Sequence, residues 1–197
     1  MKADQYQSSL PPKQGLYDPQ YEKDSCGVGF VAHIKGQKSH QIVEDGIQIL
    51  ENLAHRGACG CDPKTGDGAG ILIQLPHEFL KKEASKINIQ LPAFGDYGAG
   101  IVFLPKEKDE QAFCMSTVEK TIKEEGQVVL GWRDVPVSSA NVGEVARTRE
   151  PIIKQIFVGK GPSVKDQATL ELKLLIIRKL AERKISESDC THKFMFY

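Results

Sequence analysis

Ser25-Cys26-Gly27 stands where the chain changes character. Residues 1–25 are polar and broken by Pro11, Pro12, Gly15 and Pro19, with few and unpatterned apolar residues. From the cysteine on, CGVGFVAHI (26–34) has the apolar and glycine content of a buried strand. A free cysteine is most often a small buried hydrophobe. At this seam a second chemistry is open to it. Were the Ser25–Cys26 bond cut, Cys26 would carry a thiol and an α-amine on one residue. An α-amine titrates at about 7.7–8.0, so part of it is neutral at physiological pH. It could take the thiol proton directly or through one water and activate the nucleophile without a histidine. Spacing alone is compatible with both a structural thiol and a self-activated one.

His55-Arg56-Gly57-Ala58 closes a helical stretch. A cation followed by glycine is an ordinary helix stop. The same arginine, aimed into a cleft, would hold a neighbouring thiol as thiolate or meet a carboxylate. GDGAG (66–70) lacks the lysine of a phosphate loop and precedes a strand where a dinucleotide loop would open a helix, so its glycines point to close backbone packing. Cys59, Cys61, Asp62 and His55 lie close in sequence, but a structural zinc site draws on two separated pairs, and no second pair exists. No metal is expected. His33, His40, His77 and His192 are scattered without ligand spacing.

Around these residues the periodicity predicts a helix from Ser39 with its apolar face on Ile42, Val43, Gly46, Ile47, Leu50, Leu53 and Ala54, packed on a core and ending at Gly57. A constrained loop fills 55–70, followed by a strand over 71–75 and a short helix from Pro76. Further strands are expected over 99–105, 127–137 and 151–159. A helix is expected over 109–126, a loop over 138–150, and a last helix to Lys184 capped by Ser163 and Asp166. Trp132 reads as core and KEKDE (106–110) as a solvated helix start. Strands mixed with helices put the class at α/β or α+β.

With 197 residues, 40% hydrophobic and 26% charged, the composition is that of an ordinary globular domain. Lys+Arg and Asp+Glu both total 26, so the balanced charge leaves no footprint for nucleic acid or an anionic membrane. No run approaches the roughly 18 apolar residues of a membrane span. The leader lacks a signal-peptide core and has no arginine, so the expected compartment is the cytoplasm. Five unevenly spaced cysteines are unlike a secreted disulfide framework.

Taken together, GLYDPQYEKDSCGVGFVA (15–32) and LENLAHRGACGCDPKTGDGAGILIQLP (50–76) closely resemble the start of glutamate synthase large subunits. That region is a class II glutamine amidotransferase domain of the N-terminal-nucleophile hydrolase family. The resemblance is dense from Gly15 to Pro76 and thinner beyond. It implies an α+β fold of the N-terminal-nucleophile type, an αββα sandwich of antiparallel sheets, with only the N-terminal half present. It also implies that residues 1–25 are a propeptide cleaved at Ser25–Cys26, and that 26–197 is the N-terminal part of the amidotransferase domain.

By the same resemblance Cys26 is the catalytic nucleophile, forming a glutamyl thioester from glutamine and releasing ammonia. Arg56, with Gly27 and Gly57, supports the site near it. The family's downstream arginine for the substrate carboxylate, its Asn-Gly oxyanion pair and its aspartate for the substrate amine have no counterpart, so an incomplete site with little turnover is expected. The implied partners are glutamine, the rest of the synthase and a small subunit. No cofactor is implied for these residues; the flavin (FMN) and iron–sulfur cluster of the parent enzyme belong to another part of it. Two other readings stand beside this one. One is a catalytically incomplete fragment serving only as a structural or interaction remnant. The other is a hydrolase of a different amide, disfavoured by the pairing of CGVGF with HRGACGCDPKTGDGAG.

Overall fold

The computed structural model describes residues 13–15, 27–53, 62, 64–66, 68–188 and 194–197. The chain divides into two compact units, residues 1–59 with 66–71, and residues 60–65 with 72–197.

The first unit is built on helix α1, His40–Asn52. Its N-cap is Ser39, as the sequence predicts, although the hydroxyl makes no capping hydrogen bond. The helix stops before Gly57: the N–H of Leu53 closes the last turn onto Ile49 and Leu50, and residues 54–60 lie outside the described residues. None of its residues is buried, so the expected packing of its stripe on a core is corrected to half-burial of Ile42, Val43, Ile49 and Leu50.

Two strands expected near this helix are absent from the described residues. Residues 27–34 carry no strand, and Val28 and Phe30 are 87% and 92% exposed. Residues 71–76 are likewise irregular, with Leu72 at 99%. The alternation is present in both segments, but a strand also needs a neighbour to accept and donate along its ladder. What 27–29 does instead is follow α1. A Cβ on Gly29 would collide with the Ile49 side chain, and one on Gly27 would stand 2.9 Å from Leu53 Cδ2.

The second unit carries a four-stranded antiparallel sheet in the order β2-β3-β1-β4. After the short helix α2, His77–Ser85, come β1 (Tyr97–Leu104), α3 (Lys108–Glu124), β2 (Val128–Asp134), α4 (Glu144–Thr148), β3 (Ile152–Gly159), α5 (Gln167–Ser186) and β4 (Met195–Phe196). The central pair, β1 with β3, runs in unbroken register from Tyr97↔Gly159 to Leu104↔Ile152. On one face α3 and α5 bury Val102, Leu104, Ile156, Val158, Cys114, Val118, Ile122, Ile177, Ala181 and Ile185 in a common core. On the other, α2 and the segment after it cover Tyr97 and Phe157 with Leu80, Ala84 and Leu91. Mixed helices and antiparallel strands make the class α+β.

The cap of α5 is Asp166 alone with Thr169, where a Ser163–Asp166 pair was expected: its carboxylate accepts the Thr169 N–H at 2.8 Å and hydroxyl at 2.9 Å. The second correction is α4, inside the segment 138–150 read as loop. Its five residues have no apolar stripe and no side-chain cap of their own, so nothing local announces it. Trp132 is half-buried against the core and donates its indole N–H to Glu119 on α3 at 2.9 Å.

Candidate active site

Of the expected site residues, Ser25, Cys26, Arg56 and Gly57 lie outside the described residues, as do His55, Cys59 and Cys61. Gly27 is described and exposed. Its contact with Leu53 is the geometry that bears on the site. Gly27 follows Cys26 directly, and Leu53 precedes Arg56 by three residues. A larger residue at 27 would have to displace the Leu53 isobutyl group, whose three outer carbons stand 2.9–3.3 Å from the position a Cβ would take. Glycine here allows the segment after the cysteine to lie against the end of α1. The same close approach recurs at Gly46 on α1, where a Cβ would meet Ile71 Cδ1 at 2.9 Å.

The glycine-rich loop has an anchored end. Asp62 accepts the Lys64 N–H at 3.0 Å and the Thr65 hydroxyl at 2.8 Å. These bonds, the Lys64 N–H first and the Thr65 hydroxyl next, hold the carboxyl below the ordinary aspartate range, and the N–H groups of Val145 and Glu144 add to them. The Asp62 side chain therefore lies beside the start of α4, whose N-cap is Gly143. Gly143 in turn donates its N–H to the Lys64 carbonyl at 3.1 Å. A Cβ on Gly143 would overlap Asp62 Oδ2 and Thr65 Oγ1 and stand 2.8 Å from the Lys64 carbonyl carbon. Sequence reasoning considered Asp62 only as a metal ligand. Its contact with Gly143 was hidden because that residue lies some eighty residues further on.

The three described histidines lie apart from one another in the sequence, and His192, like His55, lies outside the described residues. His33 Nδ1 accepts the Gln37 N–H at 3.2 Å and His40 lies 3.7 Å from Glu44, both at the surface. His77 is half-buried, its Nδ1 3.1 Å from the Tyr97 hydroxyl. Burial, reinforced by the charge of Glu78, pushes the Tyr97 hydroxyl above its ordinary range. Cys114 is buried in the core of the second unit, a packing role. Among the described residues no three His, Cys, Asp or Glu side chains gather as a metal site, and no helix is long and apolar enough to cross a membrane.

Known proteins match this chain over nearly all of its length. The sequence model of the class-II glutamine amidotransferases matches residues 26–197, and the chain belongs to that family. Its relatives include the glutamate synthase [NADPH] large chain of Bacillus subtilis, 46% identical over 175 residues, covering 89% of this chain and 11% of the relative. The glutamate synthase [NADH] of Saccharomyces cerevisiae is 41% identical over 186 residues, covering 89% and 9%. The chloroplastic ferredoxin-dependent glutamate synthase 2 of Arabidopsis thaliana is 34% identical over 192 residues, covering 96% and 12%. The chain thus spans only a small part of the length of each relative. The three are named for three different electron donors.

Proposed function

We propose that this chain is the glutaminase portion of a glutamate synthase, acting in the cytoplasm with Cys26 as an N-terminal nucleophile after removal of residues 1–25. The observation that carries the reading is that the class-II amidotransferase match begins at Cys26, the residue at the seam between the polar leader and the apolar segment. The Gly27–Leu53 contact supports a role for Arg56, because it holds together the two chain segments that carry Cys26 and Arg56. An N-terminal-nucleophile fold accords with the family and with the α+β class.

The chemistry follows from one residue carrying both nucleophile and base. The Cys26 α-amine takes the thiol proton, and the thiolate attacks the side-chain amide carbon of glutamine. As the tetrahedral adduct collapses, the C–N bond breaks and the ammonium form of the amine returns the proton to the departing ammonia. Water then attacks the thioester, giving glutamate and restoring the thiol. Arg56, with its permanent charge, favours the thiolate and orients it, while Gly27 and Gly57 leave room for backbone beside it. The leader is part of this mechanism, since a peptide-bonded Cys26 has no amine to act as base. In the intact enzyme the released ammonia would pass to the remainder of the synthase, which holds the flavin and iron–sulfur cluster.

Two measurements on the purified chain test the proposal. Intact mass should show loss of residues 1–25, and Cys26→Ala should retain them. A diazoketone analogue of glutamine should alkylate Cys26 in the matured chain far faster than it alkylates Cys114. A folded chain that keeps its leader, or labels without preference for Cys26, would favour the structural or interaction remnant instead.

A further inference from the structure

The sheet of the second unit has two edges, and they differ. At one edge β2 carries a bulge between Val129 and Gly131, a distortion that turns a strand away from further pairing. At the other, β4 covers only part of β1. Val102 and Phe103 pair with Phe196 and Met195, and Ile101 exchanges both backbone hydrogen bonds with Tyr197, at 2.6 and 2.8 Å. Beyond Ile101 no described residue pairs with β1 on that side. Backbone groups of alternate residues along a strand point the same way, so the N–H and C=O of Ala99 face this open edge. Residues 97–100 have no charge, no proline and an unbroken register with β3, so nothing blunts the edge.

A second unsatisfied group overlooks it. The Nε of Arg178 on α5 is buried and has no hydrogen-bond partner among the described residues. Its place on the helix follows from its neighbours. Lys173 and Lys184 reach Glu125 and Glu124 of α3, which marks the flank of α5 that faces α3. Arg178 lies about 120–140° around the helix axis from both, on the opposite flank. Since α5 packs on β1 and β4 while α3 packs on β2, that flank lies over the β4 side of β1. Arg178 also follows Leu174 by one turn, and Leu174 fills the space that a Cβ on Gly98 would take. A buried donor without an acceptor is costly, so a strand that brings one is favoured there.

We propose that the open edge of β1 receives an extended strand from the remainder of the longer polypeptide, antiparallel to β1 and in line with β4. Only the choice of occupant rests on the proposed function; the edge and the orphan donor do not. The chain spans between 9% and 12% of the three synthases described above, so most of such a polypeptide is available to supply the strand. The ladder fixes the occupant's chemistry. Its residue opposite Ala99 gives and takes a backbone hydrogen bond and is not proline. Its side chains opposite Gly100 and Gly98 point to the helices, where Phe196 and Leu174 lie and Arg178 needs an oxygen acceptor. Those opposite Ala99 and Tyr97 extend the other face, beside Phe157, and are apolar.

The test adds a four-residue tail after Tyr197 as a stand-in for the occupant and reads amide hydrogen exchange by NMR. With Thr-Val-Thr-Val the Ala99 N–H should exchange at least about tenfold more slowly than in the chain without a tail. Thr-Pro-Thr-Val should leave it fast, because proline opposite Ala99 breaks the ladder. Val-Thr-Val-Thr turns its hydroxyls away from Arg178 and should protect about threefold less than Thr-Val-Thr-Val. In Arg178→Met that difference should disappear. No slowing with Thr-Val-Thr-Val overturns strand addition. Equal protection by the two registers overturns the acceptor role beside Arg178, a comparison that needs no substitution. If the chain without a tail already protects Ala99 and sediments as a dimer, the occupant is a second copy and the proposal fails. Within the longer polypeptide Ala99 should be protected with no tail, and fast exchange there overturns the choice of occupant. None of these readouts uses Cys26, so failure of the glutamine analogue to label it overturns the proposed function and leaves the edge to be decided by exchange.

Discussion

Gly161 lies so close to Gly126 that a Cβ on Gly161 would overlap the Gly126 carbonyl oxygen and stand 2.9 Å from its carbonyl carbon. The contact joins the turn after α3 to the turn after β3. It is reinforced by Gln127, a buried side chain whose Oε1 accepts the Gly161 N–H at 2.8 Å and whose Nε2 donates to the Glu125 carbonyl at 3.0 Å. Gly126 itself takes φ +73°, a conformation that a side chain disfavours. Since the obstacle to a larger residue is backbone and not a movable side chain, Gly161→Ala should destabilise by more than about 2 kcal/mol. Gly126→Ala should cost about 1 kcal/mol. Denaturant titration of both variants checks the order.

Leu104 provides the plainest test of the helical face of the sheet. It is fully buried, in a cluster with Val118, Ile122 and Ile185 from α3 and α5. Truncation to alanine should cost about 2–5 kcal/mol, as buried leucines do where the surroundings cannot collapse into the cavity. The exposed Leu172 on α5 is the control, 57% accessible, and its alanine variant should lie within about 0.5 kcal/mol of wild type.

The difference between what was and was not legible in the sequence follows from where each element finds its partners. Tyr97–Leu104, Ile152–Gly159, Lys108–Glu124 and Gln167–Ser186 were readable because their own apolar spacing faces a core on both sides of one sheet. Val28 and Phe30, or Leu72, have the same spacing and no strand, because pairing is a property of a neighbour and not of the segment. The helix Glu144–Thr148 was hidden for the converse reason: its N-cap, Gly143, finds its neighbours at Asp62, Lys64 and Thr65, far upstream. The site divides in the same way. Cys26 and Arg56 stood out by residue type and neighbourhood, whereas the Gly27–Leu53 and Asp62–Gly143 contacts are tertiary facts that no local pattern carries.

Asp166 predicts a pH dependence. Its carboxyl is held below the ordinary aspartate value, about 3.9, first by the Thr169 N–H and then by the Thr169 hydroxyl. A depressed folded pKa means that the carboxylate contributes stability above the unfolded value and loses it as pH falls through the folded one. Asp166→Ala should therefore melt a few degrees (roughly 2–4 °C) below wild type at pH 7. The gap should narrow only below about pH 3.9, where the wild-type cap also protonates. A thermal melt series between pH 7 and pH 3 reads this directly, and Asp166→Asn, which keeps an acceptor, should show a smaller deficit at pH 7 that shrinks over the same acid range.

Trp132 gives the last prediction, because it is the only tryptophan in the chain and its indole N–H has one defined acceptor, Glu119 Oε1 at 2.9 Å. The bond ties β2, at the edge of the sheet, to α3, and the ring packs against the core cluster formed by α3 and α5. Replacing Glu119 by alanine removes the acceptor and leaves a half-buried donor to find water, which should cost about 1 kcal/mol. Glu119→Gln retains a carbonyl oxygen at the same reach and should cost less than half of that. The two variants also differ in what the indole sees. With alanine, water reaches the ring and the emission maximum should move to longer wavelength in the folded protein, whereas with glutamine it should stay at the wild-type position. If the alanine variant shifts neither its emission nor its unfolding midpoint, the Trp132–Glu119 bond is not what holds β2 against α3, and the apolar packing of Trp132 and Val129 on the core carries that edge alone.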